Sequence, residues 1–419
     1  MEMFLELAAE LGFTSDEEVA RLAHVSADNV ANWRSGAVRE FKPQRLRAAI
    51  ESLQFHIRVL RAQAGSDRPG GSVVPISVED GSSPTDLQRQ FRERVGYDYL
   101  GHRFLYFEPH GALAWDNLIR AGYDQDRWLA GVAEASRTWL GTGGPLAAAA
   151  LRGVDLVSLG SAEGDKDALL LSELLGVAAL PWVLYAPVDV SIPLLIAAAR
   201  SAERTIARCT GNRATKAAIM PFCADFEEGT LAFLGRLRTA SPAFADGARL
   251  VLVLGNVFGN VRDEEVLVRQ KLTTIARPGD LVWIEVAIRP DDLTQDSIYR
   301  MTLPDRQETA GEASRRLLLE GPYRRWAAAT GRRPVLDLDF RVVLHDADDT
   351  ARIPGSCNFV HDLVIADERR VCTMLYSRRY RVAPLSAWFE QHGFKTEAVR
   401  TVDDARGLPR MAHLLLRRT

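Results

Sequence analysis

The chain is poor in cysteine. Four residues, Cys209, Cys223, Cys357 and Cys372, stand among 419, and no two form a C-x-x-C pair. That excludes a zinc ribbon or a disulfide framework and predicts a reduced, cytoplasmic protein. No apolar stretch approaches the roughly 20 residues that a membrane-crossing helix needs. Met1–Glu10 is acidic and amphipathic, unlike a secretory signal. The eight histidines show no metal-like spacing, so no metal is expected. A G-x-x-x-x-G-K-[ST] signature is missing, which argues against a triphosphate-gripping P-loop. The formal net charge is only -3, its positive part carried almost wholly by arginine. Such a balance leaves no global nucleic-acid footprint. No internal repeat is visible.

What is present suffices for a large core: 47% of residues are hydrophobic, and the length accommodates two or three domains. Residues 1–64 read as all-helical. Residues 65–86 are rich in Gly, Ser, Pro and Asp, the composition of a flexible linker. Over 87–419 helical and strand-like patterns alternate, which predicts an α/β domain with a largely parallel, doubly wound sheet. The strand candidates are Asp155–Leu159, Trp182–Val188, Ala217–Phe222, Leu250–Leu254 and Leu281–Val286. Trp388–Phe394 reads as a helix and glycine turn, and Met411–Leu416 as a final strand.

Val154–Leu171 says most about function. A short apolar run ends at Gly160, a small polar loop follows, and a leucine-rich helix begins. A strand, a tight glycine turn and a helix start place backbone N–H groups against a nucleotide-like ligand. The ligand expected here is S-adenosylmethionine (SAM). An acid at the end of the second strand suits ribose hydroxyls, and Asp189, in L-Y-A-P-V-D-V-S, is that acid. In C-A-D-F-E-E, Asp225 would accept from an adenine amino group while Phe226 packs on the base.

The amino-terminal segment carries its own signals. Ser15 followed by Glu18 is a capping box, Ser26 starts a second helix, and Gly36 ends it. Two short helices joined by a tight turn resemble the helix-turn-helix of phage-repressor-like regulators. In that reading Ser26, Asp28, Asn29, Asn32 and Arg34 would line a DNA-recognition helix. Small trihelical modules also dimerise or dock partners, and Phe55, Ile57, Val59 and Leu60 extend a helix that would pair with its copy in a homodimer.

Taken with R-F-L-Y-F-E-P-H-G-A-L-A-W-D-N-L (Arg103–Leu118) and L-V-L-G-N-V-F-G-N-V (Leu252–Val261), the motifs resemble the histidine Nα-methyltransferases of ergothioneine synthesis. Relatives of that family include fungal enzymes that N-methylate tryptophan derivatives. The resemblance runs from Arg103 to the carboxyl terminus. It implies a class I SAM-methyltransferase, Rossmann-like sheet with an inserted substrate subdomain at about 288–383. It implies SAM contacts from Tyr106, Gly160, Lys166, Asp189, Asp225 and Phe226. It further implies that Tyr123, Asn260 and Tyr299 hold the α-amino and carboxylate groups of an amino-acid substrate, the catalytic set of a reaction governed by positioning. At Ala162 the family usually has a second glycine. That departure matters if the position needs a positive φ.

A second departure bears on the substrate. The family reads histidine with a glutamate and a serine in T-E-x-S-x-K-[FY]; here Met374–Tyr380 is M-L-Y-S-R-R-Y, keeping Ser377 but placing Leu375 at the glutamate position. A further pocket position falls near Gly355. Losing the carboxylate removes a charge-assisted hydrogen bond and leaves an apolar wall. The expected enzyme is therefore a SAM-dependent N-methyltransferase of a small amino-acid-like molecule other than histidine, with an apolar or aromatic side chain. The alternatives are a SAM-sensing helix-turn-helix regulator of transcription, or a methyltransferase whose peptide or nucleic-acid substrate is recruited by the amino-terminal domain.

Overall fold

The runs V-D-L-V-S-L and W-V-L-Y-A-P-V-D become strands buried along their whole length, as a parallel sheet covered on both faces requires. In the computed structural model the described residues are 5, 15–23, 26–37, 76–94, 99–122, 125–177, 180–210, 216–239, 247–291, 318, 321–323, 338–346, 353–365 and 370–419. They fall into two units, Met1–Val73 and Val74–Thr419.

In the first unit, helices α1 (Asp16–Ala23) and α2 (Ala27–Arg34) pack around Val19, Val30 and Trp33. Ser26 occupies the N-cap of α2 but makes no capping bond; its hydroxyl accepts from the Asn29 side chain at 2.7 Å instead. Arg34, expected on a recognition face, is tied to Asp16 at 2.7 Å. The remaining residues of the predicted helical stretch, 38–64, lie outside those described.

In the second unit the chain enters through β1 (Ser77–Val78) and α3 (Pro84–Arg94). Here the expectation of a linker reaching residue 86 is corrected. β1 pairs in parallel with β5 (Phe222–Cys223), and Ser83 caps α3 by accepting from the Asp86 N–H at 3.1 Å. Ser-rich composition, which signals a linker, equally supplies helix caps. Helices α4 (Arg103–Tyr106), α5 (Pro109–Gly122), α6 (Gln125–Leu140) and α7 (Ala147–Ala150) then lead to the central sheet.

That sheet alternates strand and helix: β2 (Val154–Leu159), α8 (Asp165–Gly176), β3 (Trp182–Asp189), α9 (Ile192–Thr210), β4 (Lys216–Ile219), β5, β6 (Ala248–Val253) and β7 (Leu281–Ala287). It closes with helix α14 (Val382–Gln391) and the hairpin of β11 (Phe394–Asp403) and β12 (Pro409–Arg418). Helix α10 (Ala232–Thr239) precedes β6, and α11 (Val257–Asn260), α12 (Glu264–Val266) and α13 (Thr273–Ile275) lie between β6 and β7. The sheet order is β1-β5-β3-β2-β6-β7-β12-β11, with β4 also beside β3. β2 through β7 run parallel, whereas β12 is antiparallel to β7. The order reverses at β2, whose neighbours are β3 and β6, and a doubly wound sheet binds its ligand beyond the strand ends at such a point.

The expected central strands are in place. The segment Ala217–Phe222, expected as one strand, is divided into β4 and β5, and β11 was not visible as a strand in the sequence.

Two apolar layers cover the sheet. Phe258, Trp388 and Phe389 pack on one face, and Trp139 stands edge-on to Trp283 at 4.6 Å on the other. Inside, Arg249 (1% exposed) donates to Asp155 at 2.7 Å and to the carbonyls of Ile275 and Leu234 at 2.9 and 2.7 Å. A second, three-stranded antiparallel sheet, β8 (Leu338–Asp346), β9 (Cys357–Ile365) and β10 (Arg370–Arg379), stands within the stretch expected to be inserted. Bridges Ile288↔Tyr380 and Tyr99↔Thr373 attach it to the rest of the unit.

Candidate active site

The loop from β2 to α8 turns through three left-handed residues: Gly160 (φ +69°), Ala162 (φ +47°) and Gly164 (φ +77°). At two of them a side chain would also meet a neighbour, tightly at Gly160 and against backbone at Gly164. A Cβ on Gly160 would lie 3.0 Å from Val257 Cγ2, and one on Gly164 would lie 2.8 Å from Ala198 Cα. At Ala162 the resemblance places a glycine, and the chain accepts the conformation with an alanine, at a cost of about 1 kcal/mol.

Asp189 ends β3 beside this loop and is buried. Its Oδ2 accepts the Ala162 N–H at 3.1 Å and its Oδ1 the Ser191 N–H at 2.9 Å. These bonds fix the carboxylate and leave lone pairs for a diol. Burial pushes its pKa up to about 6, partly offset by those N–H donors.

The loop after β5 is held by charges. Asp225 is bonded to the Arg103 guanidinium and accepts the N–H groups of Glu227 and Glu228 at 2.9 and 3.2 Å. Arg103 also meets Glu228 at 3.0 Å, and His102 Nδ1 lies 3.2 Å from Glu227. Burial opposes a charge on His102, but the Glu227 carboxylate outweighs it and raises the imidazole pKa. Asp225 thus has internal partners on both oxygens, and an adenine amino group would have to share its Oδ2. Phe226 stands 5.9 Å from the His102 ring.

Lys166, on the first turn of α8, is ion-paired with Glu285 of β7. Glu285 also accepts the Gly255 N–H at 2.7 Å. Burial alone would raise the Glu285 pKa; Lys166 and His413 reverse this and lower it. Gly255 belongs to the turn after β6, where Asn256 (φ +60°) accepts the Ala287 N–H at 2.9 Å and donates to Asn260 at 3.3 Å. Asn260 does not cap the following helix. Asp263 does, accepting from Val266 N–H at 3.1 Å.

These parts enclose one cavity of about 910 Å³ beyond the carboxyl ends of the strands. It is within the size range of pockets that bury a cofactor-sized ligand. Among the expected residues, Tyr106, Gly160, Lys166, Asp189, Asp225, Phe226, Asn260, Leu375 and Ser377 line it. Tyr123 and Tyr299 lie outside the described residues. Gly355 is not among the residues that line the cavity; it sits in a φ +72° turn ahead of β9, with its carbonyl accepting from Arg289 at 3.2 Å. The wall also includes His102, Arg103, Trp115, Glu285, His361 and Arg379, which were not singled out in the sequence. His361 is brought in by strand register, opposite Leu375; nothing local to its sequence signals this. The glycine cradle and the fixed Asp189 carboxylate fit SAM.

Residues 142–287 match the family of histidine-specific, SAM-dependent methyltransferases. The matched span contains Gly160, Lys166, Asp189, Asp225, Phe226 and Asn260, and is narrower than the resemblance in sequence. No curated protein matches the chain. Among solved structures, the chain is similar to 1,6-didemethyltoxoflavin-N1-methyltransferase of Burkholderia thailandensis, crystallised with S-adenosylhomocysteine (SAH): 12% identity, 74% of this chain and 88% of that one, TM-score 0.34. Magnesium protoporphyrin IX methyltransferase of Synechocystis PCC 6803 follows at 13% identity, 74% and 95% coverage and TM-score 0.37. The CcbJ methyltransferase of Streptomyces caelestis has 15% identity, 68% and 96% coverage and TM-score 0.33. Likenesses so distant say nothing of the methyl acceptor.

Proposed function

We propose, from the match of residues 142–287 to the model of histidine-specific, SAM-dependent methyltransferases, that the protein methylates an amino nitrogen. The acceptor is an amino acid or amino-acid-like small molecule other than histidine. One observation carries the reading: the cofactor wall and the strand bearing Leu375 and Ser377 border a single cavity. The position that would read an imidazole is a leucine. A histidine N–H facing it would be left without its charged acceptor, a loss of about 1–3 kcal/mol.

SAM supplies a methyl group on a sulfonium, which needs no help to leave. The chain's task is positioning. Asp189 would fix the ribose end, Lys166 the methionine end, and Asn260 would orient the acceptor nitrogen. Tyr106, edge-on to Trp115 at 5.5 Å, lines the same cavity. Bound SAM would supply its methyl group to a neutral amine and leave as SAH, and the proton of the resulting ammonium would pass to solvent. SAH formation with a panel of amino acids tests the reading. Apolar and aromatic amino acids are expected to turn over faster than histidine; histidine as the best acceptor contradicts it.

A further inference from the structure

Asn256 stands between β6 and α11 with its backbone in the left-handed region, at φ +60°. An asparagine adopts that conformation at a cost of about 1 kcal/mol. Its side-chain amide is packed against Gly259. A Cβ added to Gly259 would lie 2.7 Å from Asn256 Oδ1 and 2.9 Å from the carbonyl oxygen of Arg378 on β10. The glycine therefore makes room for the amide.

Two bonds settle which way that amide faces. A backbone N–H can only donate, so the atom that receives the Ala287 N–H at 2.9 Å is the Asn256 oxygen. The Asn256 nitrogen is then the atom turned to Asn260, and it donates to Asn260 Oδ1 at 3.3 Å. The orientation of the second amide follows from the first. With its oxygen engaged by Asn256, Asn260 keeps an NH2 group that bonds to nothing among the described residues. Asn256 and Asn260 both line the cavity.

An NH2 donor is a poor match for the amine of the acceptor. A hydrogen bond donated to a neutral amine nitrogen would occupy the lone pair that must attack the methyl group. The same donor suits an oxygen, and a carboxylate best of all, because hydrogen bonds to an ionised acceptor are shorter and stronger. We infer that Asn256 is a positioning residue: it fixes the Asn260 amide with its NH2 toward the cavity, and Asn260 thereby receives the acceptor's carboxylate. The inference rests on the reading of the cavity as an amino-acid N-methylation site. It assigns to Asn260 the carboxylate, through which the neighbouring amine is oriented, and to Asn256 the polarity of that contact.

The test is calorimetric titration of SAH-saturated protein with L-phenylalanine and with 2-phenylethylamine, which has the same ring and amine but no carboxylate. The wild type is expected to bind L-phenylalanine about tenfold more tightly, the size of one charged hydrogen bond. In Asn256→Asp one oxygen still receives the Ala287 N–H, but the other, now an acceptor, faces Asn260. Asn260 must turn its NH2 to meet it, which leaves its oxygen toward the cavity, and the preference should vanish or reverse. Asn256→Gly adds no charge and suits φ +60°. It frees the Asn260 amide to rotate and should cut the preference by about threefold or more. Thermal unfolding with SAH reports that each variant is folded. Equal binding of the two compounds to the wild type, or an unchanged preference in either folded variant, overturns the inference while leaving the reading of an amine acceptor intact. Binding of neither compound overturns the amino-acid reading, and this inference with it.

Discussion

Ala162 holds its backbone at φ +47° and from there donates its N–H to Asp189 Oδ2 at 3.1 Å. The loop proposed to cradle the cofactor and the acid proposed to receive the ribose are thus one hydrogen-bonded piece, built across the switch point of the sheet. The strained residue makes the bond, so the strain should be removable without losing it. Ala162→Gly is expected to stabilise the protein by about 0.5–1 kcal/mol, read by urea unfolding, with SAH affinity retained. A loss of stability would show that the alanine methyl group matters more than its φ.

The two carboxylates Asp189 and Asp167 give a pH signature. Burial raises both from 3.8 to about 6. A carboxyl raised in this way favours the folded state below its unfolded value, and that contribution is lost as pH rises through the folded value. The stability of Asp189→Asn relative to wild type, without ligand, should therefore increase as pH rises from about 4 to about 6. The difference should reach on the order of 2 kcal/mol. SAH binding requires the ionised form, so wild-type affinity should tighten through about pH 6 while Asp189→Asn shows weak, pH-independent binding. A stability difference that stays flat across this window contradicts the assignment.

Lys166 and Glu285 are expected to be unequal partners. Glu285 is wholly buried, whereas the Lys166 side chain is 23% exposed. Lys166→Met leaves a buried charge whose ionic partner is gone, at a cost of about 3 kcal/mol in urea unfolding. The double variant Lys166→Met, Glu285→Gln should recover most of that loss. Failure to recover would mean that Lys166 acts through its own packing.

At the acceptor end, Leu375→Glu restores a carboxylate where the family reads imidazole. Histidine affinity for SAH-loaded protein, by titration, is expected to rise about tenfold or more, while SAH affinity stays as it was. No gain for histidine would place the specificity elsewhere on the wall.

Legibility in the sequence followed burial. β2, β3, β6 and β7 are covered on both faces, so they read as continuous apolar runs. β11 is an edge strand, K-T-E-A-V-R-T-V-D after Phe394, only partly buried. Its polar alternation is what protects an edge, and it hides the strand from an apolar scan. Gly160, Asp189, Asp225 and Phe226, proposed to hold the cofactor, were legible as candidates because they sit at or just after strand ends in local motifs. Arg103, Glu285 and His361 were not. Arg103 owes its place to Asp225, 122 residues along the chain, and His361 to a pairing register with a bulge between Thr373 and Leu375.

The central claim is that the SAM methyl group reaches an amino nitrogen. It is tested most directly by incubating the protein with SAM deuterated in its methyl group and a mixture of amino acids, then locating the label by fragment-ion mass spectrometry. The account predicts label on the α-nitrogen of an acceptor other than histidine. Label on oxygen, carbon or an imidazole nitrogen would contradict it.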